Sequence, residues 1–157
     1  MEPRRAPLLA VIPPPVAFAA TFLAGWGLSR FDRWTLAWIE APGVRAVGVA
    51  LAIVGLASAA SAMGLFASRL TTFIPTGQPS KLVASGAYAW TRNPMYVGLT
   101  CIYAGAALAL GQVWTLALVV LPWAAANWVV IPFEEARLRE TFGQDYVDYC
   151  LRVRRWL

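Results

Sequence analysis

The chain has no histidine, only two cysteines and little charge. Each shortage excludes something. Without histidine there is no Ser-His or Cys-His nucleophile pair. Ordinary zinc and haem ligation also go, so no metal is expected. Cys101 falls inside an apolar stretch and Cys150 near the C-terminus. They lie too far apart to pair, and Cys150 is read as facing a reducing compartment, so no disulfide is expected. Charged residues make up 13% of the 157, where soluble domains average about 25%. What is abundant is apolar: 59% of the chain is hydrophobic. That leaves too little polar surface to cover a water-soluble globule. Lipid is the solvent that suits this composition.

The apolar residues are gathered into charge-free runs. Residues 6–29 carry no charge, nor do 46–68, and a third run, 93–133, is 41 residues long. A spanning helix needs roughly 20 residues. The third run is therefore two spans, and Gly111-Gln112 near its middle is the natural turn. The expected architecture is all-α: a single integral membrane domain with about four transmembrane helices near 10–30, 45–67, 94–110 and 113–132. Pro13-Pro14-Pro15 interrupts the first run. That argues for a retained helix beginning at or just after the prolines rather than a signal peptide.

Basic residues orient the spans. Arg30, Arg33 and Arg45 lie between the first and second. The other side holds Arg4, Arg5, Arg69, Lys81, Arg92, Arg137, Arg139, Arg152, Arg154 and Arg155. Ten against three predicts that both termini are cytoplasmic. The net charge of +5 then reflects a basic fringe beside anionic lipid and calls for no nucleic acid. In the second span Gly48, Ala52, Ala60 and Gly64 sit at helical spacing and read as a helix-packing surface. Trp26, Trp34, Trp38, Trp114, Trp123 and Trp128 lie near span ends, as interfacial anchors do.

Two polar segments stand out, both on the side predicted to be cytoplasmic. Residues 71–96 hold three prolines and two glycines, together with Leu82, Val83, Tyr88, Trp90 and Tyr96. The segment is too broken for one helix, too long for an idle connector and too rich in large residues for disorder. The second segment, 133–157, opens with Glu134-Glu135. In it Tyr146, Tyr149, Cys150, Val153 and Trp156 fall on one side of a helix. This predicts an amphipathic C-terminal helix on the membrane surface.

These segments carry the candidate chemistry. Arg92 precedes a helix start, a favourable place to hold an anion such as a carboxylate. Tyr88 and Tyr96 are candidates to stack on a flat ring or face a cation. Glu134 and Glu135 suit ribose hydroxyls or an ammonium group. Blander readings exist for each. Arg92 can snorkel to lipid phosphate, and Glu135 can pair with Arg139, or Glu134 with Arg137, along one helix. Co-location favours a site, because spans three and four form a hairpin that brings the loop and the acidic pair to one end. A small transporter would need an ionisable group within the membrane, and every charge here lies at or beyond a predicted span end. A non-enzymatic scaffold leaves the loop and acidic pair unexplained.

The ordered set of motifs has a further meaning. Gly86-x-Tyr88 is followed by Arg92-Asn93-Pro94-x-Tyr96-x-Gly98, then by an apolar hairpin and Glu134-Glu135. Phe142-Gly143-x-x-Tyr146, Tyr149 and Val153-x-Arg155-Trp156 complete the series. The chain resembles the isoprenylcysteine carboxyl methyltransferase and phospholipid methyltransferase superfamily over nearly its whole length, in particular its small bacterial members. The resemblance implies an inner-membrane methyltransferase that uses S-adenosylmethionine on a hydrophobic methyl acceptor drawn from the lipid bilayer. Carried over by position, Lys81, Leu82, Val83, Gly86, Tyr88, Arg92, Asn93, Pro94, Tyr96, Gly98, Glu134 and Glu135 would bind the cofactor, with Arg92, Glu134 and Glu135 as candidate catalytic residues. Asn93 stands where the prenylcysteine enzymes usually have histidine, and the chain is shorter than theirs. Both departures argue against a prenylcysteine substrate.

Overall fold

The computed structural model describes residues 7–32, 35–68 and 82–157, and among these all regular structure is helical. A short α1 (Leu8–Val11) precedes the prolines, and α2 (Pro14–Phe31) starts on them. Proline tolerates a first helical turn because the N–H it lacks has no helical acceptor there. α3 runs Pro42–Ser68 and α4 Pro94–Ala109. A rod of α5 (Val113–Leu118), α6 (Val120–Ala125), a wide π turn (Ala126–Val130) and α7 (Ile131–Phe142) follows. Gly143 then turns the chain into α8 (Gln144–Arg152).

Two stretches are long and apolar enough to cross a membrane, Pro42–Leu65 and the rod Val113–Phe142. α4 is a shorter apolar helix. Val47, Ile53, Val54, Leu56 and Met63 of α3 all stand exposed. An outward surface this apolar suits lipid and would be an aggregation hazard in water. The chain is an all-helical membrane bundle.

α3 and α4 pack antiparallel through a seam of small residues. Gly48, Ala52, Gly55, Ala59 and Ala62 recur at steps of four and three, the 3.5-residue period of a left-handed helix pair. A β-carbon placed on Gly98 would lie 2.7 Å from the Gly55 carbonyl oxygen, and one on Gly105 would lie 2.6 Å from that of Gly48. No side chain larger than hydrogen fits there. Of the four small residues singled out in the sequence, Gly48 and Ala52 are on the seam. Ala60 is exposed and Gly64 faces open space, because the seam follows a 3.5 period and those two fall off it. Ser58 adds one polar contact, donating from Oγ to the Pro94 carbonyl at 3.0 Å.

The hairpin turn sits where the sequence placed it. Gly111 adopts φ +65°, the Gln112 N–H reaches back to the Ala107 carbonyl, and the Gly111 N–H to that of Leu108. This is a Schellman closure, which requires the left-handed region that glycine enters freely.

The rod is longer than the predicted fourth span and is interrupted twice, each time ahead of a proline. Pro122 has no N–H for the Leu118 carbonyl, and the helix breaks at Val119. Pro132 likewise offers nothing to the Trp128 carbonyl, and the turn before it widens to a π turn. The extra residue rotates everything downstream by about 100°. Glu134 and Glu135 therefore lie on a continuing helix whose facing is set by that turn, not at a helix end.

The core at this end of the bundle gathers Phe18, Tyr96, Tyr103, Ala126, Val130 and Ile131. Tyr103 is met edge-on by Phe22 at 5.1 Å and Phe18 at 6.3 Å between ring centroids. Trp123, Trp128 and Trp156 form a second aromatic group at the rod. Trp34 lies outside the described residues. Cys101 and Cys150 are both free.

Candidate functional site

The segment leading into α4 and the chain's last residues are stitched together. The Arg92 N–H donates to the Arg154 carbonyl at 2.9 Å. Thr91 Oγ1 and Asn93 Nδ2 both donate to the Arg155 carbonyl, at 3.0 and 2.9 Å. Arg92 Nη1 donates to the Val153 carbonyl at 2.8 Å and that of Cys150 at 3.2 Å. The carbonyls of Cys150, in the last turn of α8, and of the cap residue Val153 thus end on one guanidinium, a charge that suits a helix C-terminus.

The same guanidinium reaches α7. Arg92 Nη2 donates to Glu135 Oε1 at 2.9 Å, and Arg155 holds both Glu135 oxygens, from Nε at 3.1 Å and Nη2 at 2.6 Å. Arg139, the in-helix partner suggested by spacing, is the most distant of the three at 4.0 Å. Glu135 is buried, with 5% of its side chain exposed. Burial works against the charge on Arg92, and the Glu135 carboxylate, together with Cys150 and Tyr146, more than offsets it, so the Arg92 pKa rises. Arg92 therefore ties the protein to itself and does not snorkel to lipid. Its Nε is buried with no partner among the described residues, a donor free to meet an acceptor from outside the chain.

Glu134 has a different setting. Tyr96 donates its hydroxyl to Glu134 Oε1 at 3.0 Å. Glu134 is half-buried and makes no ion pair among the described residues. Tyr88 is close enough to feel its charge. Neither tyrosine offers an open ring. Tyr96 is buried in the main core, and Tyr88 against Val83, Ala62 and Leu65.

Gly86 opens a 3₁₀ turn (Gly86–Ala89) with φ +62°, and a β-carbon there would meet Leu65 at 2.8 Å. The turn aims Tyr88 inward, and its carbonyl accepts from Tyr149 Oη at 2.7 Å. α8 is amphipathic as expected, but Tyr146, Tyr149 and Val153 pack on Leu82, Leu138 and Phe142 rather than on lipid. Burial pushes the Tyr149 hydroxyl up to about 12, against the opposing effect of Arg92.

Of the residues picked from sequence, Leu82, Val83, Gly86, Tyr88, Arg92, Asn93, Pro94, Tyr96, Glu134 and Glu135 converge on this end of the bundle. Gly98 lies one turn deeper, in the seam with Gly55. Lys81 lies outside the described residues, with much of the 71–96 loop. Residue choice from the sequence missed Thr91 and Asn127; Asn127 Oδ1 accepts from Trp156 Nε1 at 2.9 Å. It also left Arg155 as a motif letter without a role. The signal for Arg155 was an arginine beside a tryptophan in a terminal tail, which alone suggests only a basic fringe.

The family model for phospholipid methyltransferase matches residues 44–145. The chain belongs to the phospholipid methyltransferase family. No curated protein and no solved structure shows a significant match. As a phospholipid methyltransferase family member, the chain is a membrane methyltransferase. The match takes in α3, the loop, the hairpin and Glu134-Glu135. The tail residues that bind Arg92 (Cys150, Val153 and Arg154) fall after it.

Proposed function

We propose that the protein transfers a methyl group from S-adenosylmethionine to a lipid or another membrane-soluble acceptor, such as a phospholipid amine or the carboxylate or thiol of a hydrophobic small molecule. The observation that carries this reading is the convergence of Arg92 and Glu134-Glu135 on one end of the hairpin in a phospholipid methyltransferase family member. The donor set suits the cofactor. Arg92 keeps a buried N–H without a partner among the described residues, fit for a carboxylate or hydroxyl oxygen, and Glu134 is an acceptor fit for a cation. When bound, S-adenosylmethionine supplies an electrophilic methyl group on a positively charged sulfur.

The chain's own residues position and shield. α8 lays its tyrosine face over Leu82 and the Tyr88 carbonyl, which excludes water from that side. An acceptor that is already an anion needs no proton removed. An amine does, and Glu134, which no arginine pairs among the described residues, is the available base. The uneven arginine distribution supports a cytoplasmic position for this end, beside the lipid that would supply the acceptor.

Two measurements test the reading. Calorimetry on the detergent-purified protein should show saturable binding of S-adenosylmethionine and of its demethylated product. Labelled cofactor should pass its methyl group to a component of a membrane lipid extract. No binding of either compound overturns the proposal.

A further inference from the structure

We propose that the two adjacent glutamates have opposite tasks: Glu135, with Arg155, is an internal counter-ion that positions Arg92, and Glu134 is the carboxylate that faces the cationic sulfur of the cofactor. The inference rests on the S-adenosylmethionine reading above and deepens it.

Glu135 has no charge to offer a ligand. Arg92 and Arg155 lie within 2.9 and 2.6 Å of its oxygens, and Arg139 stands at 4.0 Å. Both oxygens accept from guanidinium groups. Three cations surround one anion, so a further cation brought here would meet net repulsion. Glu134 is the reverse case. Among the described residues its one hydrogen-bond donor is the neutral hydroxyl of Tyr96. Arg137 bears on it electrostatically. Neighbours on a helix point about 100° apart. Glu135 therefore looks toward the tail while Glu134 looks toward the start of α4.

Arg155 is the node that makes the division hold. Its side chain grips Glu135, and its carbonyl accepts from Thr91 and Asn93 on either side of Arg92. Main chain and side chain of one residue thus fix both ends of the Arg92–Glu135 pair. With Nη1 and Nη2 both engaged by the protein, Arg92 Nε is a buried donor that has no partner among the described residues. Arg155 is a positioning residue: it touches Arg92 through Glu135 and the backbone.

The cofactor and its product allow a charge-specific test. S-adenosylmethionine carries a sulfonium cation, and S-adenosylhomocysteine has a neutral thioether at the same place. Calorimetry compares both compounds on the wild-type chain and on Glu134→Gln, Glu135→Gln, Arg155→Ala and Arg155→Lys, with thermal unfolding as a control for folding. Glu134→Gln should weaken S-adenosylmethionine by about tenfold, the order of one charge-assisted contact, and leave S-adenosylhomocysteine nearly unchanged. Glu135→Gln and Arg155→Ala should weaken both compounds alike and keep their ratio, with Arg155→Lys recovering part of the loss. If Glu135→Gln does not fold, the Arg155 pair carries this arm. An equal loss of both compounds in Glu134→Gln overturns the proposal, and so does a ratio that changes with Arg155. Wild-type protein that binds neither compound overturns the underlying reading, and the division falls with it.

Discussion

α4 is held by two unlike devices. Along its body it lies against α3 with glycine on glycine, and Ser58 supplies the single described polar contact of that seam. At its start it is held by a knot of hydrogen bonds and ion pairs to the tail and α7. The first device works by shape. In lipid there is no hydrophobic drive to bring two helices together, so close backbone approach supplies the attraction. The second works by charge, at the end where arginines and glutamates meet outside the apolar runs. Shape holds the seam and charge holds the knot.

The comparison can be broken most severely at the seam. Gly98→Leu places a side chain against the α3 backbone and should cost about 3 kcal/mol or more, read as loss of folded protein in a detergent unfolding titration. Glu135→Ala attacks the knot and leaves Arg92 without its counter-ion. The expected cost is about 2 kcal/mol, below that of a fully buried pair because Arg155 is 36% exposed and screened by water. Loss of stability equal to that of Gly98→Leu would erase the distinction between the two regions.

A smaller effect sharpens the knot. Tyr149→Phe removes the bond to the Tyr88 carbonyl and should cost about 1 kcal/mol. Its pH dependence has a definite sign. In the folded chain the hydroxyl is raised to about 12, and in the unfolded chain it titrates near 10. The stabilisation is whole below pH ~10 and is lost as pH rises to about 12. Buried Tyr88 and Tyr146 shift in the same direction. An alkaline unfolding curve followed by tryptophan fluorescence should lose part of its steepness in Tyr149→Phe. The smallest effect is expected at Gly64, which faces open space. Gly64→Ala should be neutral or stabilising by up to about 1 kcal/mol, and a marked loss of thermal stability would move the seam.

Legibility followed the same division. The hairpin was readable because a charge-free run twice one span's length has a single glycine-glutamine break, and Gly111 sits in the left-handed turn there. The start of α2 was readable from prolines whose missing N–H suits a first turn. The seam was half readable, since small residues are common in a membrane helix and only contact tells which of them meet a partner. The candidate site was legible as a set of residues, but the role of each member was not. Glu135 spaced four from Arg139 looked like a helix pair, yet its close partners are 43 and 20 residues away.

The solvent, the helical class, the turn and the family motif depend on composition and on local backbone limits, so the residue order alone specifies them. The folded chain adds that the tail turns back onto Thr91-Arg92-Asn93, that a π turn before Pro132 sets the facing of the acidic pair, and that one glutamate is enclosed by arginines while its neighbour is not. Those outcomes depend on groups distant in the chain meeting at fixed angles, and no local pattern of residues encodes such a meeting.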